Sequence, residues 1–183
     1  SRFKEVEVVS KYIENKDKTR SEEVINNEKL STEAADVLDT VINYVGRDGA
    51  TEKQLYVSGV NCTSQDALQK MMATKIRFGK LDGVTAYHGY QSFAEGEVTP
   101  DDAHKIGIKL AEELWGDTHE VLVATHLDKH KHLHNHFVVN TVSWYNGIKY
   151  RRTKKDYQRM REVSDRICLE HGLSVIHNPQ SRG

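Results

Sequence analysis

Cysteine, long apolar runs and net charge are all scarce in this sequence. Its 183 residues hold two cysteines and carry a formal net charge of −1. Cys62 and Cys168 lie far apart and in no metal-ligand spacing, which argues against a disulfide framework. Both thiols read as packing groups in a protein of the reducing cytosol. No window approaches 18 consecutive apolar residues, so no membrane-spanning helix is expected. The opening SRFKEVEVVSKYIENKDKTR shows no apolar stretch before a cleavage site and does not read as a signal peptide. Internal repeats and low-complexity tracts are missing as well. A near-neutral balance offers nothing by itself for a nucleic-acid partner.

An apolar fraction of 37% and a charged fraction of 29% fit a globular, well-solvated protein. One domain over residues 1–183 is expected, since a chain of this length can bury a core without staples. It starts without Met and ends in the loop-like NPQSRG, which suggests the N-terminal part of a longer protein. The charge is unevenly spread. Residues 149–166 read KYRRTKKDYQRMREVSDR, with eight Lys or Arg against three acids. That run is either a solvated helix face or a phosphate-tracking patch, and composition does not decide between them.

Periodicity supplies the elements. FKEVEVVSKYI has β-branched residues in loose alternation and reads as a strand, followed by a polar loop or insertion over 14–29. Ser31 and Glu33 resemble a capping signal, and apolar residues then recur at helical spacing from Ala34 to Val45, so a helix is expected over about 32–45. QLYVSGVNC reads as a strand ended by Asn61, and TSQDALQKMMATKIRFG as a capped helix stopping at Gly79. VTAYHGYQSF alternates as a strand does. TPDDAHKIGIKLAEELWG carries a Thr99 cap, Pro100 in the first turn and a closing Gly116. HEVLVATHLD and HLHNHFVVNTVSW read as further strands, and KKDYQRMREVSDRICLEHG as an amphipathic helix ended by Gly172. The pattern implies an antiparallel-rich α+β protein with its helices on one face of the sheet.

The chemistry concentrates in HLDKHKHLHNHFVVN, which places five of the ten histidines within eleven positions, 126–136. Residues two apart on a strand share a face, so His132, His134 and His136 point one way and Leu133, Asn135 and Phe137 the other. His126 belongs to the preceding strand and faces the same site if the two strands pair. His130, nearer the turn, is expected in solvent. Three imidazoles from paired strands can converge on one cation and leave positions open for substrate oxygens. Neutral nitrogen ligands suit Zn, Mn, Co, Ni or Cu, with Mg possible where phosphate supplies hard ligands. Asp128, two residues beyond His126, is placed to hold an imidazole N–H.

The same string resembles the metal motif of conjugative relaxases, the mobilisation nucleases of the HUH endonuclease superfamily. LYVSGVNC, TKIRFGK, YHGYQSFAEGEVTPDDAHKIG, VSWYNGIKY and SDRICLEHGLSVI follow the order found in the MobA-type, Firmicute-like members, across residues 36–177. The resemblance implies a central antiparallel sheet of about five strands flanked by helices, in a cytoplasmic bacterial protein. It implies strand-specific nicking at a transfer origin through a 5′-phosphotyrosine link, with a divalent metal, Mn or Mg in use. Partners implied are single-stranded or hairpin DNA, accessory relaxosome proteins and a coupling protein. Rolling-circle or transposition nucleases of the superfamily, and an origin-binding module that does not cut, are the alternatives.

Carried over to this chain, the resemblance assigns the metal to His126, His134 and His136, and matches Asn140 to the terminal Asn of the motif. One residue more than expected separates Asp128 from the histidine pair, so His132 with His134 is a rival pair. The nucleophile position falls on Tyr44 in VINYVGRDG, with Tyr12 in KYIENKDKT as the alternative. A phenol ionises near pH 10 and needs help to attack at neutral pH, but a phenolate leaves well, so the link can be resealed without ATP. His88 and Gln91 lie near the expected site, with structural and functional readings both open, and Glu97, in the turn before the third helix, reads as no more than a capping carboxylate. Arg151, Arg152, Lys154 and Lys155 are candidates for phosphate contacts, which position DNA rather than read its sequence.

Overall fold

Runs of β-branched and apolar residues in pairs of short segments make a sheet whose centre must be covered on both sides. The structure, a computed structural model, describes residues 3–10, 20–47, 56–127 and 132–176, with side chains from residue 32 onward. Five strands form one sheet: β1 (Phe3–Ser10), β2 (Val57–Val60), β3 (Val84–Ser92), β4 (Val121–Leu127) and β5 (Leu133–Asn140). Their order is β1-β3-β5-β4-β2, and every neighbouring pair is antiparallel. Among the described residues four helices accompany them: α1 (Arg20–Val45), α2 (Ala67–Arg77), α3 (Pro100–Trp115) and α4 (Lys154–Glu170). None of the described helices is long and apolar enough to cross a membrane.

The helices lie on both faces of the sheet, not on one as the sequence pattern suggested. Leu122, Ala124 and Val138 pack with Ala34, Leu38, Met71 and Met72 of α1 and α2. The alternate residues Val121, Val123, Phe137 and Val139 pack with Ile106, Leu110, Met160 and Ile167 of α3 and α4. The reason is visible in β4, where six consecutive residues from Val121 are buried. A strand covered on both sides has no polar face to alternate with, so its pattern cannot say how many layers cover it.

Most helix ends follow the local chemistry. Thr99 accepts the Asp102 amide with Pro100 at the start of α3. Thr153 and Asp156 form a reciprocal capping box at α4. Asn61, at φ 61°, turns the chain after β2 and donates to the carbonyls of Gly116 and His119. The exception is α1, which begins at Arg20 and not near residue 32. Residues 20–31 hold no Gly or Pro and several good helix formers, so nothing in them stops a helix propagating backward past Ser31.

Candidate active site

Strand pairing gathers the histidines. His126 on β4 stands directly opposite His134 on β5, and His136 stands between Ala124 of β4 and Tyr90 of β3. One nitrogen from each of His126, His134 and His136 lies within 4.8 Å of the others. The ring centres of His126 and His136 are 4.0 Å apart, and each is 5.0 Å from that of His134. His126 and His136 are buried, whereas His134 is half-exposed and borders solvent. His132 lies outside the strand and is exposed, so geometry groups His134 with His136 rather than with His132.

One nitrogen of each ring makes a defined contact. His126 Nε2 meets the Val45 carbonyl at 2.5 Å. His136 Nδ1 meets His88 Nε2 at 2.6 Å, and His134 Nδ1 lies 3.3 Å from the His132 carbonyl. A carbonyl can only accept, which puts the His126 proton on Nε2 and leaves Nδ1 as a lone pair. Burial, reinforced by the neighbouring imidazoles, holds His126 down at about 4 and His136 at about 2. Both rings are therefore neutral near pH 7, the form in which imidazole ligates metal.

The end of α1 closes over this cluster. Val45, whose carbonyl meets His126, follows Tyr44 directly. The Tyr44 side chain is 57% exposed, the state a group needs to reach a large substrate. The Arg47 guanidinium sits 4.6 Å over the Tyr44 ring and donates to the Tyr44 carbonyl at 2.7 Å. Its charge is close enough to add to the lowering at His126 and His136. Asn43, Arg47 and Ser64 line a cavity of about 250 Å³ beside it. A second tyrosine approaches from β3: the Tyr90 ring lies 5.2 Å from that of His134 and 5.4 Å from that of His136.

Other residues singled out in the sequence go elsewhere. Gln91 is buried on the opposite face, bonded to Asn135 and Ser164. Glu97 accepts the Ser174 amide, tying the chain after α4 to the turn before α3. Asn140 donates to the Met71 carbonyl and to Glu120, fixing α2 to the far end of β5. Arg151, Arg152, Lys154 and Lys155 are exposed but not beside the histidines. Tyr150 pairs with Thr141, just past the end of β5. Seven residues of extended chain separate Thr141 from His134, roughly 24 Å. Tyr12, Asp128 and His130 lie outside the described residues.

Arg47 and Tyr90 were not singled out by the sequence reading, and the partner role of His88 was left open. Arg47 gives no periodic signal in a turn, and His88 reaches His136 only through the β3–β5 register, where it is a diagonal neighbour. Local spacing within one strand cannot show such a contact.

The family model for the relaxase MobA/VirD2-like nuclease domain matches residues 44–173. A protein rlx of Staphylococcus aureus is 42% identical over 134 residues, covering 73% of this chain and 40% of that protein. The group II intron-interrupted relaxase LtrB of Lactococcus lactis subsp. cremoris is 28% identical, covering 96% of this chain and 36% of its own length. A solved structure concerned with vancomycin resistance transfer in Staphylococcus aureus matches 66% of this chain and 72% of its own, at 16% identity and a TM-score of 0.46. The chain thus spans about 40% of the length of the Staphylococcus aureus relatives it matches. Since the family match begins at Tyr44 and runs through the histidine strands to the end of α4, the chain belongs to the MobA/VirD2-like relaxase family, of which it carries the nuclease domain.

Proposed function

We propose that this domain nicks one DNA strand at a transfer origin by transesterification onto Tyr44, with His126, His134 and His136 holding a divalent metal. The observation that carries the reading is the closure of the Tyr44 helix end onto the three-imidazole cluster through the bond between His126 and the Val45 carbonyl. The donor set fits such an ion: three imidazole nitrogens, two of them buried, with the third at the solvent edge where substrate enters. Mn or Mg is the working ion, and Zn, Co, Ni or Cu suit the nitrogen ligands as well. When bound, the ion withdraws charge from the non-bridging oxygens of the scissile phosphate.

The protein supplies the rest. The Tyr44 oxygen forms a new bond to phosphorus while the bond to the 3′ oxygen breaks, leaving a 5′-phosphotyrosine and a free 3′-hydroxyl. The phenolic proton must leave as the tyrosine attacks, and the departing 3′ oxygen must gain one. Asp128 is assigned to this centre as a partner for an imidazole N–H or an acceptor for that proton. Arg47 places a fixed cation beside Tyr44, where phosphate oxygens approach, and so adds to stabilisation of the developing charge. His88 orients His136 through its Nδ1 and leaves Nε2 for the ion. The basic cluster at Arg151, Arg152, Lys154 and Lys155 tracks the strand or a hairpin away from the nick. In the cell, accessory relaxosome proteins and a coupling protein are the expected partners.

The test is a labelled single-stranded oligonucleotide of the transfer origin, incubated with the protein and Mn2+ and run on a denaturing gel. A covalent adduct is expected with the unmodified protein and with Tyr90→Phe and Tyr12→Phe. It is expected to vanish with EDTA or with Tyr44→Phe. Retention of the adduct in Tyr44→Phe removes that residue from its role. No adduct at any metal supports the alternative of a module that binds an origin without cutting it.

A further inference from the structure

On the face of the sheet opposite the histidines, most buried positions of β4 and β5 are apolar: Val121, Val123, Phe137 and Val139. Only at the level of the cluster does this face turn polar, and there it does so as a connected row. Ser58 of β2 bonds His104 Nε2 at 2.7 Å. His104 Nδ1 bonds the Thr125 hydroxyl at 2.8 Å. Thr125 donates to Asn135 Oδ1 at 2.6 Å, and Asn135 Nδ2 donates to Gln91 Oε1 at 3.0 Å and to the Ala103 carbonyl at 2.8 Å. Gln91 Nε2 donates in turn to the Ser164 hydroxyl at 2.9 Å.

The row has one consistent direction. The single Thr125 hydrogen goes to Asn135, so the hydroxyl oxygen must accept from His104 Nδ1–H, and His104 Nε2 accepts from Ser58. Burial favours the neutral ring that this requires. Thr125, Asn135 and Gln91 are register partners on β4, β5 and β3, and none of the three is exposed. In sequence they interleave with the site: Thr125 precedes His126, and Asn135 lies between His134 and His136. Because side chains alternate across a strand, the row lies directly behind the cluster. It crosses four adjacent strands and is tied to α3 and α4 at Ala103 and Ser164.

We infer that Asn135 and Thr125 are positioning residues for the metal centre, which set the spacing of its three imidazoles from the reverse face of the sheet. The inference rests on the reading of those imidazoles as metal ligands. An apolar row would hold the sheet at least as well as the neighbouring valines do, but it slides. A fully satisfied polar row permits one arrangement, because any displacement strands buried donors and acceptors. That is what a site needing three nitrogens at fixed separations requires of its support.

The test uses Co2+ alone, with affinity from titration and geometry from the visible absorption of the bound ion. Thr125→Val and Asn135→Leu are compared with Val139→Ala, a control on the same face away from the row, at a temperature where circular dichroism shows all of them folded. The network variants are expected to bind Co2+ tenfold to a hundredfold more weakly and with an altered absorption band. Thr125→Ser, which keeps the hydroxyl, should restore both. Val139→Ala should lower the melting temperature and leave affinity and absorption alone. If Asn135→Leu does not fold, Thr125→Val and Ser164→Ala carry the comparison. Network variants that bind Co2+ as the control does overturn this inference and leave the metal reading standing. A lack of Co2+ binding by the unmodified protein overturns both.

Discussion

The two histidines that face each other across the β4–β5 pair have different burdens. His126 is 1% exposed and holds the end of α1 through the Val45 carbonyl, whereas His134 is half-exposed and meets the carbonyl of His132, two residues away on its own segment. Truncating His134 removes one nitrogen from the cluster and little packing. His134→Ala is therefore expected to abolish adduct formation with a melting temperature close to that of the unmodified protein. His126→Ala leaves a buried carbonyl without its partner and a void beside it, a cost of about 2–4 kcal/mol. It should lose the adduct and melt many degrees lower, and thermal unfolding followed by circular dichroism separates the two. Equal melting temperatures would show that the helix end does not depend on His126. At this scale the sequence was readable where a period of two sufficed: His134 and His136 share a face as their spacing required. It was silent where a contact comes from a strand distant in the chain, as for His88 and Tyr90 on β3.

At the scale of elements, capping chemistry was the legible part. Thr99 with Pro100 marks a helix start that the structure keeps, because the signal is contained in a few adjacent residues. The start of α1 was not legible, since a capping-like pair inside a longer helix looks the same as one at its end. Nor did any local pattern announce how closely α3 approaches the sheet. A Cβ added at Gly107 would lie 2.6 Å from Asn135 Nδ2 and 3.1 Å from a Val123 methyl carbon. In an exposed helix, Gly→Ala stabilises by about 1 kcal/mol. Here the added methyl must push α3 away from the amide that holds the polar row together, at a cost of about 1–3 kcal/mol. Gly107→Ala is expected to lower the midpoint of urea unfolding despite its better helix propensity. A raised midpoint would mean that α3 has room to move and that the close approach is incidental.

Across the whole molecule, only the β4–β5 neighbours could be read from the sequence, because the β1–β3, β3–β5 and β2–β4 pairings join segments tens of residues apart. The fold also separates what the sequence places close together. The histidines and the basic run are near neighbours along the chain, yet β5 carries them to opposite ends of the sheet. The far end holds a buried cation as well. Lys75 is 1% exposed and donates to the Thr85 carbonyl and the Thr141 hydroxyl, and burial brings its ammonium down to about 7. Between pH 7 and 10.5 the unfolded chain keeps this proton and the folded one does not, so stability should rise with pH there, by up to about 1 kcal/mol per unit. Urea unfolding at pH 7, 8 and 9 should show that slope, and Lys75→Met should flatten it. The exposed cations beyond Tyr150 are proposed to contact DNA instead. Four contacts to single-stranded phosphates release roughly three counterions, at about 0.7 each. Replacing Arg151, Arg152, Lys154 and Lys155 with Gln should therefore weaken oligonucleotide binding at low salt and flatten the dependence of log affinity on log salt by about that amount. Because these residues are remote from Tyr44, the rate of adduct formation at saturating DNA should stay near that of the unmodified protein. Fluorescence anisotropy across a salt series, paired with single-turnover adduct assays, measures both quantities. An unchanged salt slope would assign the basic run to solvation alone, and a collapse of the saturated rate would place it at the nick.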